Sequence, residues 1–148
     1  MLTRRKFLIA SAVVITLPTS SFTNEPNIFA RGGVAINGYD PVAYFTQSEP
    51  VKGNANHSVQ WNGAIWHFAT AANKDAFATN PNAYAPQYGG YCAYAVSKGA
   101  TAKTEPDAWT VHNGKLYLNF DRNVRTIWRR DISDNISKAD NNWPGVLG

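Results

Sequence analysis

Val59-Gln60-Trp61-Asn62-Gly63-Ala64-Ile65-Trp66-His67-Phe68 is the stretch whose reading decides the fold. Asn62-Gly63 separates two short runs of apolar and aromatic residues, and Asn-Gly tolerates the positive φ angles of a tight type I′ turn. A hairpin follows. Side chains alternate along a strand, so Trp66 and Phe68 share one face, with Ile65 and His67 on the other. The pattern repeats at Val111-His112 and Lys115-Leu116-Tyr117-Leu118, which flank Asn113-Gly114. Alternation there groups Leu116, Leu118 and Phe120 opposite Lys115, Tyr117 and Asn119.

Between and after the hairpins the pattern turns helical. Thr70 is placed to cap a helix over residues 71–79, with Phe77 inward and Asn80-Pro81 as its end. Residues 82–88 read as an aromatic connection, and residues 91–97 as a helix stopped at Gly99. Asp121 caps the strongest helix, whose positions Val124, Ile127, Trp128, Asp131 and Ile132 fall on helical spacing. Arg122, Arg125, Arg129 and Arg130 read as its solvated face. Asp134 to Pro144 is a polar tail, and Trp143 is expected to dock on the domain. Together these predict an α+β fold: a small antiparallel sheet from the two Asn-Gly hairpins, with short helices packed on it.

Residues 1–22 read differently. Arg4-Arg5-Lys6 precedes the uncharged run Phe7 to Leu17, too short for a confident span and suited to a signal-peptide core. Paired arginines before Phe-Leu look like a twin-arginine signal, which exports proteins already folded. The expected partner is the twin-arginine export machinery and the expected location is the periplasm or another exported site. A membrane is involved only if the signal stays uncleaved. Residues 23–33 read as a linker and 34–148 as one domain with a C-terminal helical extension. The chain carries 14 Lys+Arg against 10 Asp+Glu. Without the signal's three basic residues the balance is 11 to 10, which removes the electrostatic basis for nucleic-acid binding. Five Trp, seven Tyr and seven Phe supply an aromatic core without disulfides.

Asp40-Pro41-Val42, then Gly63 to Ala69, then Phe77 and Asn80-Pro81-Asn82-Ala83-Tyr84 resemble the YHS domain over roughly residues 38 to 90. Tyr84 to Ala93, Leu116 to Asn119 and Asn142-Trp143-Pro144 resemble a longer exported subfamily of YHS proteins. The resemblance implies a small α+β module of a kind found in heavy-metal transporters and attached to oxygenase subunits, binding metal through cysteines. This chain departs there: Ala43, Ala69 and Asn73 occupy the positions of those cysteines. The resemblance therefore carries the fold and not the metal site.

Cys92 is the one cysteine, so it forms no intrachain disulfide. Four readings stand: a buried structural thiol, a metal ligand, a reactive nucleophile, or half of an intermolecular bridge. As a ligand it would join His67 and His112 around copper or zinc, the thiolate–imidazole set those metals accept; His57 reads as solvated in a polar loop. As a nucleophile it would lie near a helix N-terminus, with His112 as base and Asp107 or Asp121 orienting it. A non-catalytic reading makes Tyr88, Gly89, Gly90 and Tyr91 a binding pocket, or an aromatic surface for a homodimer. Function is thus expected to be that of an exported YHS-like binding module, with metal as the first ligand class, an interaction module second and a thiol enzyme third.

Overall fold

A computed structural model describes residues 11–16 and 24–148. The arginine pair and the expected signal, apart from residues 11–16, lie outside the described residues; 11–16 are exposed with no regular structure. No helix among the described residues is long and apolar enough to cross a membrane.

The fold is α+β. Strand β1 (Ala30–Arg31) pairs antiparallel with β2 (Val34–Ala35), and helix α1 covers Ala43–Thr46. The first Asn-Gly hairpin is β3 (Asn54–Trp61) and β4 (Ala64–Phe68), with Asn62 at φ 50° and Gly63 at φ 83°, the left-handed pair of a type I′ turn. β2 runs parallel to β4, giving a four-stranded sheet in the order β1-β2-β4-β3. Helix α2 (Ala71–Thr79) starts where Thr70 Oγ1 accepts from the Asn73 N–H at 3.1 Å. Helix α3 (Pro81–Tyr84) and a 3-10 turn at Gln87–Gly90 fill the aromatic connection, and α4 (Ala93–Ser97) follows. The second hairpin is β5 (Trp109–His112) and β6 (Lys115–Leu118), again turned by an Asn-Gly pair at positive φ. Helices α5 (Arg122–Arg129) and α6 (Ile132–Asn142) close the chain.

Four differences from expectation have physical causes. The hairpins stand in separate sheets, because β4 takes β2 as its second neighbour. β6 is buried on both faces from Leu116 to Leu118: Leu116 and Leu118 enter one cluster with Trp66, Phe68 and Phe77, while Tyr117 enters another with Trp128 and Tyr88. Phe120 does not share the buried Leu face and is partly exposed. Of the expected linker, residues 24–33 are described and belong to the domain: Ile28 and Phe29 are buried, and β1 belongs to the sheet. Two adjacent apolar residues carry no periodicity from which a sequence reading could place them in a core.

The C-terminal region differs most. Asp131 is not a stripe position of one helix. Its carboxylate accepts from the Asp134 N–H at 3.3 Å and caps a new helix, so the polar tail is α6. Ile127 turns outward, and Trp128 alone of the stripe is fully buried. Arg125 and Arg129 are not merely solvated. Their guanidinium groups donate to the Asp107 and Trp109 carbonyls at 3.0 and 3.1 Å and fasten α5 to the second hairpin. Trp143 docks as expected, its ring centroid 6.1 Å from Tyr88 and 6.2 Å from Tyr91.

Candidate functional site

A cavity of about 370 Å³ opens where four segments meet. The hairpin turn brings Trp61 and Asn62, the connection after α2 brings Asn82 and Gln87, and α6 with its exit brings Asp140 and Trp143. Tyr88 and Gly89 form its wall together with Asn27 and Ile28 of the N-terminal segment.

That wall depends on unusual backbone. Tyr88 has φ 58° and ψ 36°, the left-handed region that bulky side chains avoid, at a cost of about 1–3 kcal/mol. Two interactions hold it there. Its hydroxyl donates to Asp140 Oδ1 at 2.8 Å, and its ring packs against Tyr117 and Trp143. Burial, and after it the bond to Asp140, pushes the Tyr88 phenol well above the usual tyrosine range, so it remains a neutral donor. Gly89 (φ 64°) must lack a side chain, because a Cβ there would lie 2.0 Å from the Asn27 carbonyl oxygen. Its own carbonyl accepts from the Phe29 N–H at 2.8 Å, and Asn27 Nδ2 donates to Asn62 Oδ1 at 3.3 Å. The N-terminal segment is thereby pinned along one side of the opening.

Of the four pocket residues expected from sequence, Tyr88 and Gly89 line this cavity. Gly90 does not: it packs against Ile36 and Pro86. Tyr91 faces a second concavity, of about 440 Å³, with Pro26 and Lys103, and its hydroxyl donates to the Pro26 carbonyl at 2.8 Å. Sequence reading missed Asn27, Trp61, Asn82 and Asp140, which come from four distant parts of the chain and form no motif.

The three expected metal ligands are not brought together. Among the described residues no group of three or more His, Cys, Asp or Glu side chains could hold a metal ion. His67 belongs to β4, with its Nδ1 beside Gly38 and its backbone against Gly53. His112 ends β5 opposite Lys115. His57, expected in a loop, is part of β3. Cys92 is 1% exposed; its thiol donates to Asn119 Oδ1 at 3.6 Å and accepts from the Phe120 N–H at 3.2 Å. Burial pushes the thiol pKa up, against the lowering effect of nearby backbone N–H groups. An activated nucleophile needs access and a lowered pKa, and this site supplies the opposite of both. The described residues do not assemble the expected copper or zinc set, and the burial of the thiol gives the nucleophile reading no support.

A different cluster occupies the positions where the resemblance placed cysteines. Asp40 is fully buried, and its Oδ1 accepts from the Val42 and Ala43 N–H groups at 2.8 and 3.3 Å. Its Oδ2 accepts from the Ala69 N–H and from Asn73 Nδ2, both at 2.8 Å. Ala43, Ala69 and Asn73 thus converge on one carboxylate. A methyl, a methyl and an amide offer no soft donor, so these residues do not fit a thiolate-bound metal. The cluster is a knot tying the turn before α1 to the β4–α2 junction.

No protein-family model, curated protein or solved structure gives a significant match to this chain.

Proposed function

We propose that the protein is a non-catalytic binding module of the YHS type, exported by the twin-arginine route, with the cavity at Tyr88–Gly89 as its ligand seat. The cavity carries this reading. Its volume falls within the ~300–1,000 Å³ range of small-molecule sites. Its walls combine aromatic rings with several hydrogen-bonding side chains, and they include a tyrosine in a backbone conformation that needs support from two other elements. The meeting of Ala43, Ala69 and Asn73 around Asp40 supports the YHS relation, since those positions are scattered in sequence.

The test is a fragment screen read in the indole N–H region of a nitrogen-15 correlation spectrum. Trp61 and Trp143 line the cavity, whereas Trp109 and Trp128 do not and act as internal controls; the Trp66 indole N–H donates to the Trp61 carbonyl at 3.0 Å and is expected to respond with Trp61. Compounds that occupy the seat move the first pair and leave the second in place. A screen whose hits all spare Trp61 and Trp143 overturns the assignment.

A further inference from the structure

We propose that the seat takes a neutral saccharide unit. This rests on the cavity being the ligand seat and adds the chemical class. The first argument is charge. Among the described residues no Lys, Arg or His lines the cavity, so a phosphate, nucleotide or carboxylate ligand would enter without a counter-charge from them. The second is the amide content. Asn27, Asn62, Asn82 and Gln87 all border the space. Each primary amide offers both donors and an acceptor, matching hydroxyl groups that also donate and accept. Asp140 adds an acceptor with lone pairs beyond the one that Tyr88 engages. The third is the pair of partly buried indoles, Trp61 and Trp143. The electron-rich face of an indole suits the C–H face of a sugar ring, whose hydroxyls then point sideways toward the amides.

The other occupant these groups suggest is an organic cation, with Asp140 as counter-charge and the aromatics as a cage. The amides decide against it. Asn27, Asn62 and Asn82 are exposed and Gln87 is half-buried, and a quaternary ammonium has no hydrogen-bonding group to replace the water it would displace from them.

The experiment titrates the full chain with D-glucose, N-acetyl-D-glucosamine and cellobiose, and separately with choline and inorganic phosphate, following the five indole N–H signals. At least one sugar is expected to move Trp61 and Trp143 in the millimolar range or below, with Trp109 and Trp128 unmoved. Asn82→Ala and Gln87→Ala change side chains at the rim, so they serve if Trp143→Phe or Asp140→Asn disturbs folding. Each rim change is expected to weaken sugar binding by about three- to tenfold. Choline binding with no sugar binding overturns the saccharide class and leaves the seat standing. So does a fragment that moves both cavity indoles when no sugar does. Sugar shifts confined to other indoles, or rim variants without effect on affinity, overturn the proposal, and silence from every probe and fragment overturns the seat as well.

Discussion

Asn73 Nδ2 donates to Asp40 Oδ2 at 2.8 Å, joining side chains 33 positions apart in one buried hydrogen-bond cluster. Four N–H groups from three segments end on that single carboxylate. Asp40→Ala leaves those donors without their acceptor and is expected to cost about 3–5 kcal/mol, whereas Asn73→Ala removes one donor and costs about 1–2 kcal/mol. Urea unfolding with an unchanged m-value measures both. Equal losses at the two positions would argue against Asp40 as the hub.

Gly89→Ala sets a methyl group against the Asn27 carbonyl and forces a left-handed backbone on alanine. About 2–4 kcal/mol of stability is expected to be lost. The damage is directional: the Phe29 amide, bonded to the Gly89 carbonyl, loses hydrogen-exchange protection before the β5–β6 hairpin does. Uniform loss of protection across the domain would contradict this placement.

Native Cys92 is expected to resist a thiol reagent at neutral pH and to react at the ordinary rate once the chain is unfolded in urea. Copper or zinc content after loading and dialysis should be the same for wild type and Cys92→Ser. Fast labelling of the folded protein, or metal that disappears with the substitution, would restore the sequence expectation of a working thiol.

Stability is expected to fall on the alkaline side. Burial is the largest cause raising the phenol pKa of Tyr44 and of Tyr88 above the ordinary value of 10.0, and it raises the Cys92 thiol above its ordinary 9.0. With folded pKa values raised, the native state holds more protons than the unfolded chain once the pH passes the unfolded values, so stability declines as pH rises. The contribution is complete at neutral pH and begins to be lost near pH 9 to 10. Melting temperatures should therefore be level through neutrality and drop above that window. Tyr88→Phe lowers the neutral value through loss of the Asp140 bond, by about 1 kcal/mol, and makes the alkaline drop shallower. A Tyr88→Phe profile parallel to wild type would show that this phenol does not titrate with unfolding.

What could be read from the sequence was the local chemistry. Asn62-Gly63 and Asn113-Gly114 announce their turns because positive φ is a property of the dipeptide itself, and Thr70 and Asp121 announce helix starts for a similar reason. What stayed hidden was tertiary. Helical spacing runs on from Trp128 through Asp131 to Ile132, so the break between α5 and α6 is invisible until the Asp131 carboxylate is seen capping the second helix. α6 packs Ile132, Ile136 and Ala139 into the core, a short stripe among polar residues, and Asn135 beside them is buried while donating to the Trp128 carbonyl at 2.9 Å, which turns a polar letter into a core position. The cavity was half legible: the tyrosine–glycine run marked part of its wall, while Asn27, Trp61, Asn82 and Asp140 become neighbours only after folding.

One bond closes this fold on itself. The Glu25 N–H donates to the Leu147 carbonyl at 2.8 Å, so the segment that walls the cavity is fastened to the 3-10 turn that follows α6. Such a clasp carries the chain-entropy cost of a long loop, whereas the β5–β6 hairpin joins strands that are neighbours in sequence. The cavity wall is therefore the part of the domain whose local opening is expected first.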